Sequence, residues 1–544
     1  MLTRIKGGRI IDPANGHDGI GDIWMRDDRI VEAPPAATAD TTYDATGKIV
    51  MAGAIDIHSH IAGWSVNTAR LLLPEFRLGS AARPGSTPLS NAGWAAFEIG
   101  CLYAAMGFTT VVEPAVSPHY ALHAHLELAD IPIIDKATLA VLGNDDFLLG
   151  LMRARESAAA VRDYVAWTLA ATRSLGIKVI NAGGAAAFKE NVREFSFDDV
   201  VPSYGVSSRE IVRTLQHAVN ELGVPHPLHV HCNNLGIAGS ADSALATIAA
   251  ADGLPLHLAH LQFYGYGKEG GRGFSSAAAR LAEAVNAAQS VTIDVGQVMF
   301  GQTVTVSLDV LRQFKARNQA RPRKWVILDG DANGAGIVPY NYRSADFYNA
   351  VQWAVGMELF LLIDDPWRVF FTTDHPNGAP FTVYPEILAL LMSRDLRAQW
   401  IAKLPAEAMT VTTLPSISRE YSLVEIATVT RAAPARLLGL PDRGHLGAGA
   451  IADVAVYEDE SDRARMFRSA ALVFKHGELV VRDGTPTRHI FGRALMVEPE
   501  RDRAIDRRLK AYYDERWGIS HDLIKVPDHA IGRPEPFELV SCTQ

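Results

Sequence analysis

Six side chains in this sequence have the types and positions of a metal centre. The segment Ile55-Asp56-Ile57-His58-Ser59-His60 ends an apolar run with two histidines one residue apart. Alternate side chains of a strand share a face, so His58 and His60 can hold one ion together. By itself such a pair says little in a chain with 18 histidines. Two further runs, Leu228-His229-Val230-His231-Cys232 and Leu256-His257-Leu258-Ala259-His260, repeat the theme. His231 and His260 stand last in each run, nearest the loop that follows. His229 and His257 are either buried spacers or hydrogen-bonded neighbours of the ligands. A fourth run, Val369-Phe370-Phe371-Thr372-Thr373-Asp374, closes on a carboxylate that is costly to bury without a partner. A metal ion removes that cost, and Asp374 can also take the proton of a metal-bound water. The fifth run, Leu175-Gly176-Ile177-Lys178-Val179-Ile180-Asn181, places a lysine inside an apolar strand. Either its head reaches solvent, or the amine reacts with CO2 to give a carbamate, which turns a cation into a carboxylate able to bridge two ions.

Taken together, His58, His60, Lys178, His231, His260 and Asp374 suffice for two divalent ions sharing one hydroxide. Such a pair lowers the pKa of the shared water, polarises a carbonyl and stabilises a tetrahedral oxyanion. Nitrogen and oxygen ligands without a thiolate suit zinc best. Cys232 follows a ligand histidine but should point to the other side of its strand, as a structural residue. The expected activity is hydrolysis of an amide-type C–N bond, with Asp374 catalytic.

Positioning such a set requires strands that end together. Eight apolar runs alternate with helical patterns: residues 54–58, 109–113, 137–142, 177–181, 227–232, 256–261, 291–295 and 369–374. Eight βα units close a (β/α)8 barrel, whose active sites lie where strands end and loops begin. One intervening helix should begin at Ser207, with a Ser207/Glu210 capping box, and stop at Gly223. Short strand patterns at both ends of the chain predict a composite β-sandwich: residues 1–52 and 436–500 around a barrel of residues 53–435. Residues 501–544, charged and proline-containing, read as a tail on the surface or on another subunit. Two long insertions, residues 62–91 and 296–348, follow strand ends and should serve substrate or partners.

The 544 residues, 48% hydrophobic and 21% charged, describe an ordinary globular protein with room for a large core. A net charge of −9 argues against nucleic acid as partner. Three cysteines, Cys101, Cys232 and Cys542, form neither a disulfide framework nor a CxxC site, which points to the cytoplasm. The first residues show no signal-peptide pattern, and no apolar run reaches the ~18–20 residues of a membrane helix.

The six-residue set resembles that of the amidohydrolase superfamily, the relatives of dihydropyrimidinase and dihydroorotase. The flanks Lys6 to Pro13 and Gly447 to Val454, and the segment Thr430 to Arg436, are also similar to it. Longer stretches, namely His231 to Gly236, Gly336 to Pro339, Asn349 to Trp353 and Asp365 to Gly378, resemble the family of the hydrolytic subunit of formylmethanofuran dehydrogenase. Bacterial counterparts in that family belong to formyltransferase/hydrolase complexes. The resemblance implies a formamide substrate, an N-formyl group on the aminomethyl-furan of methanofuran or a bacterial analogue, giving formate and the free amine. It also implies partner subunits in a C1-transfer complex. Asn233, Asn234, His375 and Asn377 flank ligands and either orient substrate or only close loops. Arg343 and Arg368 either meet an anionic tail or form ordinary ion pairs. Two other readings stay open: a stand-alone cyclic amidase of the hydantoinase type, and a catalytically inert scaffold barrel, against which the retained six-residue set speaks.

Overall fold

The computed structural model describes residues 1–35, 38–72, 96–307, 336–533 and 536–542. Its centre is a ring of eight parallel strands: β1 Ala54–Asp56, β2 Phe108–Val116, β3 Asp135–Leu142, β4 Gly176–Ile180, β5 His229–His231, β6 Leu256–Leu258, β7 Val291–Asp294 and β8 Val369–Phe370. Each pairs in parallel with the next in chain order. Nearly every residue of these strands is buried, as expected of strands covered on both faces by helices. The ring closes between β8 and β1 through a bridge at Ser59 and His375, where the His60 amide donates to the His375 carbonyl at 2.8 Å. Thr372 Oγ1 adds a bond to the His58 carbonyl at 2.6 Å. The architecture is the predicted α/β barrel, although several strands are shorter than their apolar runs.

The helix before β5 runs over Ser208–Glu221 with the capping box between Ser207 and Glu210 formed, and Gly223 beyond it takes a left-handed φ of 62°. The two ends of the chain share one nine-stranded sheet. Lys48–Ala52 from the beginning pairs antiparallel with Val454–Glu458 from the end, and this contact stitches the termini together. That sheet finishes at Thr485–Pro486.

The chain then returns to the barrel. Ala494–Met496 pairs in parallel with the start of β3, on the edge that β4 leaves open, and Phe537–Leu539 pairs beyond it. Between them the helix Ala504–Trp517 lies on the helix Ala158–Thr172, fixed by Trp167 Nε1 donating to Asp506 at 2.9 Å and by the Arg508–Glu156 pair at 3.0 Å. The C-terminal region thus adds two strands and a helix to the outside of the barrel. Of the two long insertions, residues 73–95 and 308–335 lie outside the described residues. The flanks of the second form an antiparallel hairpin, Gly301–Ser307 with Gly336–Tyr342. No helix among the described residues is long and apolar enough to cross a membrane.

Candidate metal centre

The six residues singled out above converge where the strands of the barrel end. His58 and His60 follow β1, and both ring Nε2 atoms lie 3.2 Å from Asp374 Oδ1, which follows β8. Lys178 in β4 is 1% exposed, and its Nζ sits 3.0 Å from His58 Nε2. His231 at the end of β5 and His260 after β6 bring Nδ1 and Nε2 within 3.0 Å of each other. Asp374 and His260 hold left-handed backbone, φ 52° and 34°, which L-residues avoid without compensation elsewhere. Their strands stop short, and this twist aims both side chains inward.

Two carboxylates that the sequence pattern did not single out orient the β1 histidines. Asp294, ending β7, lies 2.9 Å from His58 Nδ1, 3.1 Å from His257 Nε2, and accepts the His260 amide at 2.7 Å. Glu113 in β2 lies 2.9 Å from His60 Nδ1 and accepts the amides of Ile61 and Ala62 at 2.6 and 2.9 Å. A carboxylate facing Nδ1 fixes the proton there and leaves the Nε2 lone pair for a metal. His229 touches His58 Nδ1 at 3.1 Å through its own Nε2, and His226 stands behind it at 3.1 Å. His229 and His257 are thus hydrogen-bonded neighbours of this layer.

The donor set fits a metal. The Nε2 atoms of His58 and His60 and one oxygen of Asp374 lie close enough to share one ion, each nitrogen 3.2 Å from the carboxylate. Ligands bound at ~2.0 Å around a tetrahedral ion stand about 3.3 Å apart. His260 Nδ1 is buried and has no hydrogen-bond partner among the described residues. The demand for positive charge is visible in the titration of His60: burial lowers its pKa, but Glu113 and Asp374 outweigh burial and hold it at about 9. Burial pushes the Lys178 amine down to about 8 against the pull of Asp374, Asp294 and Glu113. This enriches the neutral amine that carbamate formation needs.

A cavity of about 670 Å3 opens from this point, with His60, Lys178, His231, His260, Asp374 and Asn377 on its wall. Asn377 donates to Asp374 Oδ1 at 2.9 Å and accepts from the Val306 amide at 2.6 Å. The other candidates for substrate contact stand elsewhere. Asn233 is engaged by Ser208 at 3.1 Å and Asn181 at 2.7 Å, and Asn234 donates to Ser243 at 2.6 Å. His375 Nδ1 accepts the Phe381 amide at 3.3 Å. Arg343 is exposed and outside the cavity wall, and Arg368 is spent on the carbonyls of Val285 and Ala288 at 2.6 and 3.2 Å.

Residues 41–486 match the model of the amidohydrolase family. The chain belongs to that family. It is thereby a member of a group of metal-dependent hydrolases. Over the whole of both chains it is 52% identical to a component of the formyltransferase/hydrolase complex Fhc of Methylorubrum extorquens. The crystal structure of that complex, FhcABCD with methylofuran, superimposes with a TM-score of 0.94 over 100% of both chains. Protein FwdA of Methanocaldococcus jannaschii is 38% identical, covering 91% of this chain and 90% of its own.

Proposed function

We propose that this amidohydrolase hydrolyses the formamide of an N-formylated furan carrier, of the methanofuran or methylofuran kind, to formate and the free amine. In this reading it works within a multisubunit C1-transfer complex in the cytoplasm. The observation that carries the reading is the convergence of His58, His60, Lys178, His231, His260 and Asp374 at the inner end of one cavity, in a chain alike over its full length to the Fhc component. His58, His60, His231 and His260, with Asp374 and a carbamate of Lys178, would hold two divalent ions, zinc by the donor chemistry. When bound, the ions supply Lewis-acid activation of a water and of the formyl oxygen. Asp374 accepts the proton of the attacking water at its carboxylate and returns it to the amine nitrogen as the C–N bond breaks. Asn377 holds Asp374 in place for that transfer. Asp294 and Glu113 keep His58 and His60 in the tautomer that faces the site.

The test uses the protein as isolated from its native host, with the subunits that accompany it. Formate release from an N-formyl furfurylamine derivative and about two metal ions per chain are expected, with negligible turnover of hydantoin or dihydrouracil. Ring opening of those cyclic amides without formamide cleavage would move the protein to the cyclic amidases. Less than one ion per chain in the presence of bicarbonate would make the barrel a scaffold.

A further inference from the structure

We infer that the C-terminal segment is a specificity element of the metal cavity, its rings Tyr512 and Trp517 holding a flat apolar group of the substrate beyond the reacting formamide. The inference rests on the hydrolytic reading above and adds the part of the substrate that does not react. A formamide needs only a small fraction of the cavity, whose 670 Å3 falls within the ~300–1,000 Å3 that encloses a drug-sized ligand. Away from the metal-binding end the wall becomes aromatic, with Phe147, Tyr164, Trp167, Tyr512, Tyr513 and Trp517. Three of these six belong to the helix Ala504–Trp517.

That helix is held firmly enough to shape a site. Trp167 Nε1 binds Asp506 at 2.9 Å, Arg173 binds Asp528 at 2.9 Å, and the strands on either side of the segment extend the barrel sheet. Tyr512 packs edge-on to Phe147 with ring centres 5.2 Å apart. Trp517 lines the same cavity yet is 56% exposed, a large apolar ring at the mouth left for a ligand to cover. The two carboxylates at this end are partly engaged: one oxygen of Asp145 accepts the Leu148 amide at 2.9 Å and the Tyr164 hydroxyl at 3.0 Å, and Asp146 takes the Tyr204 hydroxyl at 2.8 Å and faces Arg516 at 3.6 Å. The ring faces of Tyr512 and Trp517 on this wall suit a planar, weakly polar group.

The experiment compares two amines on the full-length protein from its native host by titration calorimetry: furfurylamine, and the same amine with a phenyl group on the far side of its furan ring. The phenyl-bearing amine is expected to bind about tenfold more tightly, in line with one good aromatic contact. In Trp517→Ala, at a position 56% exposed, and in Tyr512→Leu, that preference should fall to about twofold or less. Equal affinities in the wild-type protein, or a tenfold preference that survives in both variants, overturns the assignment. The N-formyl derivatives of both amines are assayed in parallel for formate. Amine discrimination without any formate release retains the subsite and defeats the hydrolytic reading instead.

Discussion

Two buried clusters of ionisable groups occupy opposite ends of the barrel, and they differ in how their charge is balanced. At the N-terminal end of β3, Lys475 Nζ lies 2.7 Å from both Asp135 and Asp453, while Arg443 reaches Asp135 at 3.2 Å and Glu538 at 2.8 Å. Asp135, Asp453 and His476 have donor atoms within 4.8 Å of one another, as a metal site would. Yet an ammonium already occupies that position, and Lys475 and Arg443 hold the Asp135 carboxyl well below the usual range despite its burial. This network joins the barrel, the terminal sheet and the C-terminal layer. At the other end, imidazole nitrogens and the Asp374 carboxylate face one another beside Lys178, whose amine burial lowers to about 8. Proximity of donors does not distinguish the clusters; the balance of charge does.

That contrast can be broken most sharply at Asp374. Asp374→Asn should reduce formate release by about 10³-fold, the scale of a lost acid–base group, while the fold and at least one ion per chain remain. Undiminished turnover would take Asp374 out of the reaction. Lys178→Ala should lose metal and activity together, and short carboxylic acids should restore part of both by standing in for the carbamate; full metal occupancy in the variant would remove the carbamate. At the other cluster, Lys475→Met leaves Asp135 and Asp453 short of a cation and should cost about 3–5 kcal/mol in denaturant unfolding. Metal content per folded chain should not change, and if it falls the two clusters are not separate devices.

The smallest effect concerns Lys136, beside Asp135. Burial, with Lys475 and Arg533, lowers its pKa to about 7 against the pull of Asp135, and its Nζ donates to the carbonyls of Ile131 and Gly492, at 3.1 and 3.0 Å. The unfolded lysine titrates near the ordinary value of 10.5. Between those two pH values the unfolded chain binds more protons, so the stability contributed by this group rises with pH, by up to about 1.4 kcal/mol per unit. Below pH 7 both states are protonated and the penalty of charging the buried amine is fully present. The stability of the wild-type protein relative to Lys136→Met should therefore increase from pH 7 to pH 9; a flat difference would mean that the ammonium is retained in the fold.

Much of the metal-binding end was legible because strand geometry is local. Period-two spacing put His58 and His60 on one face, and the last polar residue of an apolar run marks the end of a barrel strand. Asp294 and Glu113 met the same criterion that drew attention to Asp374, a carboxylate closing an apolar strand, but neither sits beside a histidine motif. Asn233 and Asn234 drew attention through the ligand histidine beside them, and in the fold they hydrogen-bond to Ser208, Asn181 and Ser243. The aromatic wall was illegible because it depends on a chain reversal after residue 490, which returns Tyr512 and Trp517 to a barrel whose strands ended more than a hundred residues earlier. The N-terminal charge network is hidden for the same reason, its partners being up to 403 positions apart, from Asp135 to Glu538.

The bridge between Ser59 and His375 is the seam of the ring, and it lies between His58, His60 and Asp374. Joining first strand to last and assembling the ligands are consequently one event. An ion held from both sides would act as a clasp on this joint between the first strand and the last. Withdrawing it with a chelator should loosen the barrel along this line first, so that hydrogen exchange at the His60 amide reports the clasp opening before the remaining strands part.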